Sequence, residues 1–219
     1  MNTILYCYDA YCGWCYAFSP VICKLSAELR NEFHFEVLSG GMIINKDPIP
    51  IGVTAPYIQG AYKKVEEYTG IKFGQDYLWH IFHPDQSDWF PDSEKPAIAM
   101  CIFKEWHPQL QVEFAADLQY ALHYEGRDLC DDEAYRYLLD KYYIPAELFY
   151  SRLHSEQYKT LAKEEFEICK KLGVSGFPTV LFRESETKFY LLSRGYTDYA
   201  TLKATISSLQ KTRNQHSGS

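Results

Sequence analysis

No stretch of this chain reaches the ~18 consecutive apolar residues that a membrane-spanning helix needs, so a helical membrane protein is not expected. A basic stripe is missing too. With 22 Lys and Arg against 29 Asp and Glu the net charge is −7, which disfavours nucleic acid as a partner. The amino terminus lacks the basic, apolar and small-residue regions of a secretory signal. Met1 leads straight into a strand-like run, and a cytoplasmic location is the expectation. The cysteines do not form an even, closely spaced set. Seven are scattered over 219 residues, unlike the disulfide framework of a small secreted domain. No internal repeat stands out.

What is there suits a soluble globular chain, with 47% hydrophobic and 23% charged residues. The length fits one large domain, or a small domain carrying an insertion. The 19 Tyr and 13 Phe are read as core and half-exposed packing surface. Cys7, Cys23, Cys101 and Cys169 sit in apolar patterns and are expected as buried small hydrophobes. Cys130 follows a Gly-Arg-Asp loop and is given no role.

The most informative stretch is Cys12-Gly13-Trp14-Cys15, between a strand-like run, Thr3–Tyr8, and a helix-like run, Trp14 to Arg30. A thiol at a helix N-terminus feels the positive end of the macrodipole, which favours thiolate, the nucleophilic form. Strand, Cys-x-x-Cys, helix is therefore a layout for thiol–disulfide exchange. Cys12 is the expected attacking thiol, exposed at the helix start. Cys15, one turn on and on the same face, is within reach to resolve a mixed disulfide.

Pro20 should kink the first helix. Phe33–Leu38 alternates and reads as a second strand, ended by Gly40-Gly41. Helical spacing then covers Tyr57–Tyr68, Ala97–Trp106 after a start at Ser93, Gln109–Tyr124, Ala134–Tyr142 behind the acidic Asp131-Asp132-Glu133, Pro145–Leu153 and Ser155–Leu172. This nearly strand-free block of about 110 residues is too long for a loop. Strands return at Pro178–Phe182 and Lys188–Leu192, followed by a helix over Asp198–Leu209. Neither β-containing part can cover a sheet alone. Joined, they make one four-stranded α/β sheet flanked by helices. The expected organisation is residues 1–50 and 161–211 as the two halves of one domain, 51–160 as a helical insertion, and 212–219 as a disordered polar tail.

This βαβ…ββα order, with Cys-x-x-Cys opening the first helix, resembles the thioredoxin fold. With its large all-helical insertion, the chain resembles the DsbA-like dithiol–disulfide oxidoreductases, and more closely their signal-less branch of predicted protein-disulfide isomerases. The motif Asp9-Ala-Tyr-Cys-Gly-Trp-Cys-Tyr16 is similar to the Asp-Pro-x-Cys-x-Trp-Cys pattern of that branch. A second stretch, Gly173-Val-Ser-Gly-Phe-Pro-Thr179, places Pro178 where thioredoxin-fold proteins carry a cis-proline facing the cysteines. The resemblance implies that Cys12 and Cys15 are catalytic and that Gly13, Trp14, Phe177 and Pro178 border the substrate. Two departures stand out. The strand position where many relatives bury an acid holds Tyr6, and the proline two residues before the first cysteine is Ala10. Asp9 is the nearest acid, read either as a substitute for the missing one or as a turn-forming residue.

The implied activity is exchange of disulfides with protein, peptide or small thiol substrates, with glutathione or a thioredoxin-type protein as a candidate reductant and no cofactor. Three rivals remain. A zinc site would need a second pair of ligands; His80 and His83 have the spacing, but the nearby Pro84 and aromatics favour packing histidines. A glutathione-dependent isomerase or transferase of the kappa-class and hydroxychromene-carboxylate type would not need the second thiol. A non-catalytic adaptor would tolerate loss of Cys12.

Overall fold

In the computed structural model, which describes residues 2–217, the sheet is built around β1, Thr3–Tyr8. All six of its residues are buried, because both faces of this strand are covered. Ile4, Tyr6 and Tyr8 face the main core, and Leu5 and Cys7 face a smaller one with Leu38, Cys169 and Leu181. That is the period-2 alternation of a strand. β1 pairs in parallel with β2, His34–Ser39, and antiparallel with β3, Thr179–Arg183. β3 pairs antiparallel with β4, Phe189–Arg194, through an irregularity at Val180/Leu181. The order β2-β1-β3-β4 joins the two ends of the chain in one sheet.

Between β1 and β2 runs α1, Gly13–Leu29. It stays continuous through Pro20. The helical block comprises α2 (Ala55–Thr69), α3 (Gln75–Phe82), α4 (Glu94–Trp106), α5 (Gln111–His123), α6 (Arg136–Lys141), α7 (Ala146–Leu153) and α8 (Glu156–Lys171). Gly70 ends α2 in the left-handed conformation at φ 80°. α3 has no counterpart among the expected helices: it is two turns long, aromatic-rich, and buries only Tyr77 and Ile81, too little periodicity to register. Two other boundaries differ. The division expected at residue 160/161 falls inside α8, and the last helix, α9, runs Tyr199–Ser217. It thus takes in residues 212–217 of the expected disordered tail, where the sequence holds no Pro or Gly to stop it; residues 218–219 lie outside the described residues.

β2 is an edge strand, and the helical block covers its open side. The Val37 N–H donates to Gln111 Oε1 at 3.0 Å and the Ser39 N–H to Glu165 Oε2 at 2.9 Å. Lys104 donates to the Val37 carbonyl and pairs with Glu165. Three side chains from α4, α5 and α8 thereby take the place of a fifth strand, an answer to the exposed-edge problem. α1 packs on α5, so its first turn is held between the sheet and the helical block.

Candidate active site at the dithiol

Cys12 is the N-cap of α1, in extended backbone at φ −82°, ψ 108°. Its N–H donates to the Asp9 carbonyl at 3.1 Å, and its Sγ accepts the Cys15 N–H at 3.3 Å. The thiol itself donates to the Phe177 carbonyl at 3.5 Å. The four-residue motif thus meets the segment before Pro178 in space. Contrary to the expectation of an exposed thiol, Cys12 is only 6% exposed, because the Phe177 backbone lies against the sulfur. Cys15 is fully buried; burial, with Cys12 beside it, pushes its thiol well up. Both are free thiols.

The other expected residues are close by. A Cβ on Gly13 would stand 3.3 Å from the tip of the Phe73 ring, so this glycine lets an aromatic of the helical block lean on the motif. Trp14 is half-buried and meets the rings of Tyr68 at 6.2 Å and Tyr196 at 6.3 Å. The Phe177–Pro178 peptide bond is cis. Phe177 is half-buried, its ring pressed on Gly40; Pro178 is buried, and its carbonyl accepts the Gly195 N–H at 2.7 Å.

Asp9 is 2% exposed. Its Oδ1 accepts the Tyr11 N–H at 3.0 Å and the Ser93 hydroxyl at 2.9 Å, and its Oδ2 accepts the Met42 N–H at 2.7 Å. Burial pushes its pKa up, and the three donors pull against that. The bond to Tyr11, two residues on, is the turn-forming geometry of an Asx residue, and the other two tie the motif loop to the strand exit and to α4. Ser93, read as a helix start, spends its hydroxyl on Asp9 rather than on capping α4. Tyr6 is buried, and among the described residues its hydroxyl has no hydrogen-bond partner.

Sequence reasoning missed two residues of α5. Gln119, fully buried, donates from Nε2 to the Asp9 carbonyl at 3.2 Å and accepts the Ser19 hydroxyl at 2.6 Å. His123, also fully buried, holds the Gln119 carbonyl at 3.1 Å through Nδ1 and stacks on Tyr16 at 5.0 Å. No local motif marks either one: an interior polar residue on an apolar-periodic helix looks like its solvent face. Cys130 also lies nearby, 3.3 Å from the Tyr11 hydroxyl. Cys7, Cys101 and Cys169 are buried; Cys23 is half-buried.

His80 stacks on Trp89 and hydrogen-bonds Ser87, while His83 stacks on Trp79. Among the described residues no three His, Cys, Asp or Glu side chains gather as a metal site, and no helix is long and apolar enough to cross a membrane.

No curated protein matches the sequence. Solved structures do. A Nitrosomonas europaea protein proposed to be a protein disulfide isomerase superposes with a TM-score of 0.84 at 22% identity, covering 96% of this chain and 98% of the other. The cytosolic disulfide reductase DsbM of Pseudomonas aeruginosa gives 0.77 at 23% identity, with 96% and 99% covered. A 2-hydroxychromene-2-carboxylate isomerase gives 0.60 at 12%, with 99% and 98% covered. At these identities the likeness shows the fold. A family model matches residues 3–207, nearly the whole chain, and by that match the protein belongs to the DSBA-like thioredoxin domain family.

Proposed function

We propose that the protein is a dithiol–disulfide oxidoreductase working through Cys12 and Cys15. The observation that carries this reading is a free dithiol at a helix start, its first sulfur set between the Cys15 N–H and the Phe177 carbonyl. Cys12, the less buried of the two, attacks one sulfur of a substrate disulfide. A mixed disulfide forms and the other substrate sulfur leaves as thiolate. Cys15 then attacks Cys12 Sγ, the second substrate thiol leaves, and two electrons have passed from the dithiol to the substrate. Two external thiols reverse these steps on the enzyme disulfide: the first forms a mixed disulfide with Cys12 and frees Cys15, and the second attacks that bond, frees Cys12 and leaves as the oxidised external disulfide. Glutathione is the reductant we infer, supported by a neighbouring DsbM structure that holds it. A cytoplasmic setting, where thiols are kept reduced, fits net reduction.

The isomerase reading draws on one structural neighbour but leaves Cys15 without a task. The adaptor reading leaves both thiols without one. The test is thiol substitution with an insulin-type disulfide as substrate. Cys12→Ser is expected to abolish reduction, and Cys15→Ser to accumulate mixed disulfides that a gel resolves without reductant. Full reduction by Cys12→Ser, or no reduction by the wild type, would overturn the proposal, and the second outcome would favour an adaptor or isomerase.

A further inference from the structure

We infer that Gln119, contributed by the helical block, is a positioning residue for the dithiol, and that it biases the Cys12–Cys15 pair toward its reduced form. The inference rests on the oxidoreductase reading and deepens it. One side-chain amide spans the motif. Its Nε2 holds the Asp9 carbonyl at 3.2 Å, the same oxygen that accepts the Cys12 N–H at 3.1 Å. Its Oε1 takes the Ser19 hydroxyl at 2.6 Å, and that hydroxyl lies 3.2 Å from the Cys15 carbonyl. The single Ser19 proton goes to the nearer acceptor, Gln119, so the loop leading into Cys12 and the turn of α1 that carries Ser19 are stapled to a single group with no solvent access.

The site needs a donor at one end and an acceptor at the other, which only an amide side chain of this length supplies. Glutamate would set an acceptor, and a buried charge, against the Asp9 carbonyl. With both thiols free, nothing covalent fixes the loop, and the amide performs that task. Once a disulfide joins Cys12 to Cys15, the loop is closed covalently and the staple is partly redundant. Losing Gln119 must then cost the dithiol form more than the disulfide form, and the difference between the two costs is a change in redox equilibrium. A side chain that merely filled the core would destabilise both forms alike.

The experiment equilibrates wild type, Gln119→Met and Ser19→Ala with reduced and oxidised glutathione and counts disulfide by alkylation and mass spectrometry. Urea unfolding of each form, reduced and oxidised, accompanies it. Gln119→Met preserves the side-chain length and removes both hydrogen bonds. It is expected to shift the equilibrium about threefold or more toward the disulfide, with the reduced form losing more stability than the oxidised one. Ser19→Ala, which removes one bond, shifts it less and in the same direction, and it decides the matter if Gln119→Met does not fold. Lys104→Met, which breaks a buried pair that makes no hydrogen bond to the motif loop, is the matched control: lower stability in both forms at an unchanged equilibrium. An unchanged equilibrium in the Gln119 and Ser19 variants, or a shift toward the dithiol, overturns the inference and leaves the oxidoreductase reading standing. A wild-type protein that forms no Cys12–Cys15 disulfide at any glutathione ratio overturns both.

Discussion

The contact between Gly40 and Phe177 decides how near the Phe177 carbonyl comes to Cys12. A Cβ at Gly40 would fall 1.9 Å from the Phe177 ring, a distance no packed pair of carbons sustains. Gly40→Ala must push the ring aside, and the peptide that receives the Cys12 thiol moves with it. We expect a loss of about 1–3 kcal/mol, the usual cost of overpacking, read from the urea midpoint, together with slower disulfide reduction. Gly60→Ala supplies the contrast. Gly60 lies inside α2 with open space around its would-be Cβ, so the same substitution should stabilise by about 0.8 kcal/mol and spare activity. Equal effects of the two would show that Phe177 is not held by Gly40. In the sequence, Gly40 reads only as the end of a strand. The Cys-x-x-Cys motif and the Gly-Phe-Pro-Thr stretch are legible because each is a short, rare pattern, and the Cys12–Phe177 contact brings the two together. Gly40, Gln119 and the burial of Cys12 are not, since each is defined by what arrives from another part of the chain.

Among the elements, β2 shows what helical spacing reveals and what it hides. The apolar faces of α4, α5 and α8 predicted those helices nearly to the residue. The same spacing gave no hint that Lys104, Gln111 and Glu165 turn inward to satisfy the backbone of an edge strand. Long polar side chains on a helix are usually solvated, and nothing in a single sequence marks the exceptions. The Lys104–Glu165 pair is largely buried, with side-chain exposures of 19% and 11%. Removing one partner leaves an uncompensated charge in the interior. Lys104→Met is therefore expected to cost on the order of 3 kcal/mol. Lys104→Met combined with Glu165→Gln should recover part of that, because the neutral amide can still accept the Ser39 N–H. Urea unfolding of the single and double variants checks this as a double-mutant cycle. A double variant weaker than Lys104→Met alone would mean that the Glu165 charge is not what the lysine neutralises.

At the scale of the whole molecule the sheet and the helical block share one apolar core, which runs from Ile4 through Tyr16 and Phe114 to Ile206. Loss of stability inside the block should therefore appear in a single cooperative transition. His123 makes that measurable through pH. Burial lowers its pKa to about 4 in the folded protein, against about 6.5 in an unfolded chain. Between those values the unfolded state binds more protons, so the His123 contribution reduces stability as pH falls from 6.5 to 4 and levels off below. For a fully buried imidazole this reaches roughly 3 kcal/mol. Asp9 acts in the opposite sense: its raised folded pKa contributes stability at low pH that is lost as pH rises through that value. The wild-type curve thus mixes the two, and the comparison must be differential. His123→Phe keeps an aromatic ring beside Tyr16, Phe73 and Tyr77 and removes the titrating group. Repacking or loss of the bond to the Gln119 carbonyl offsets its stability by a constant, whereas the proton effect changes with pH. The gap in unfolding free energy between wild type and variant should move by roughly 3 kcal/mol from pH 7 to pH 4 in favour of His123→Phe. A gap that stays flat over that range would mean that the imidazole takes up a proton in the core as readily as in the unfolded chain, and that burial does not lower its pKa.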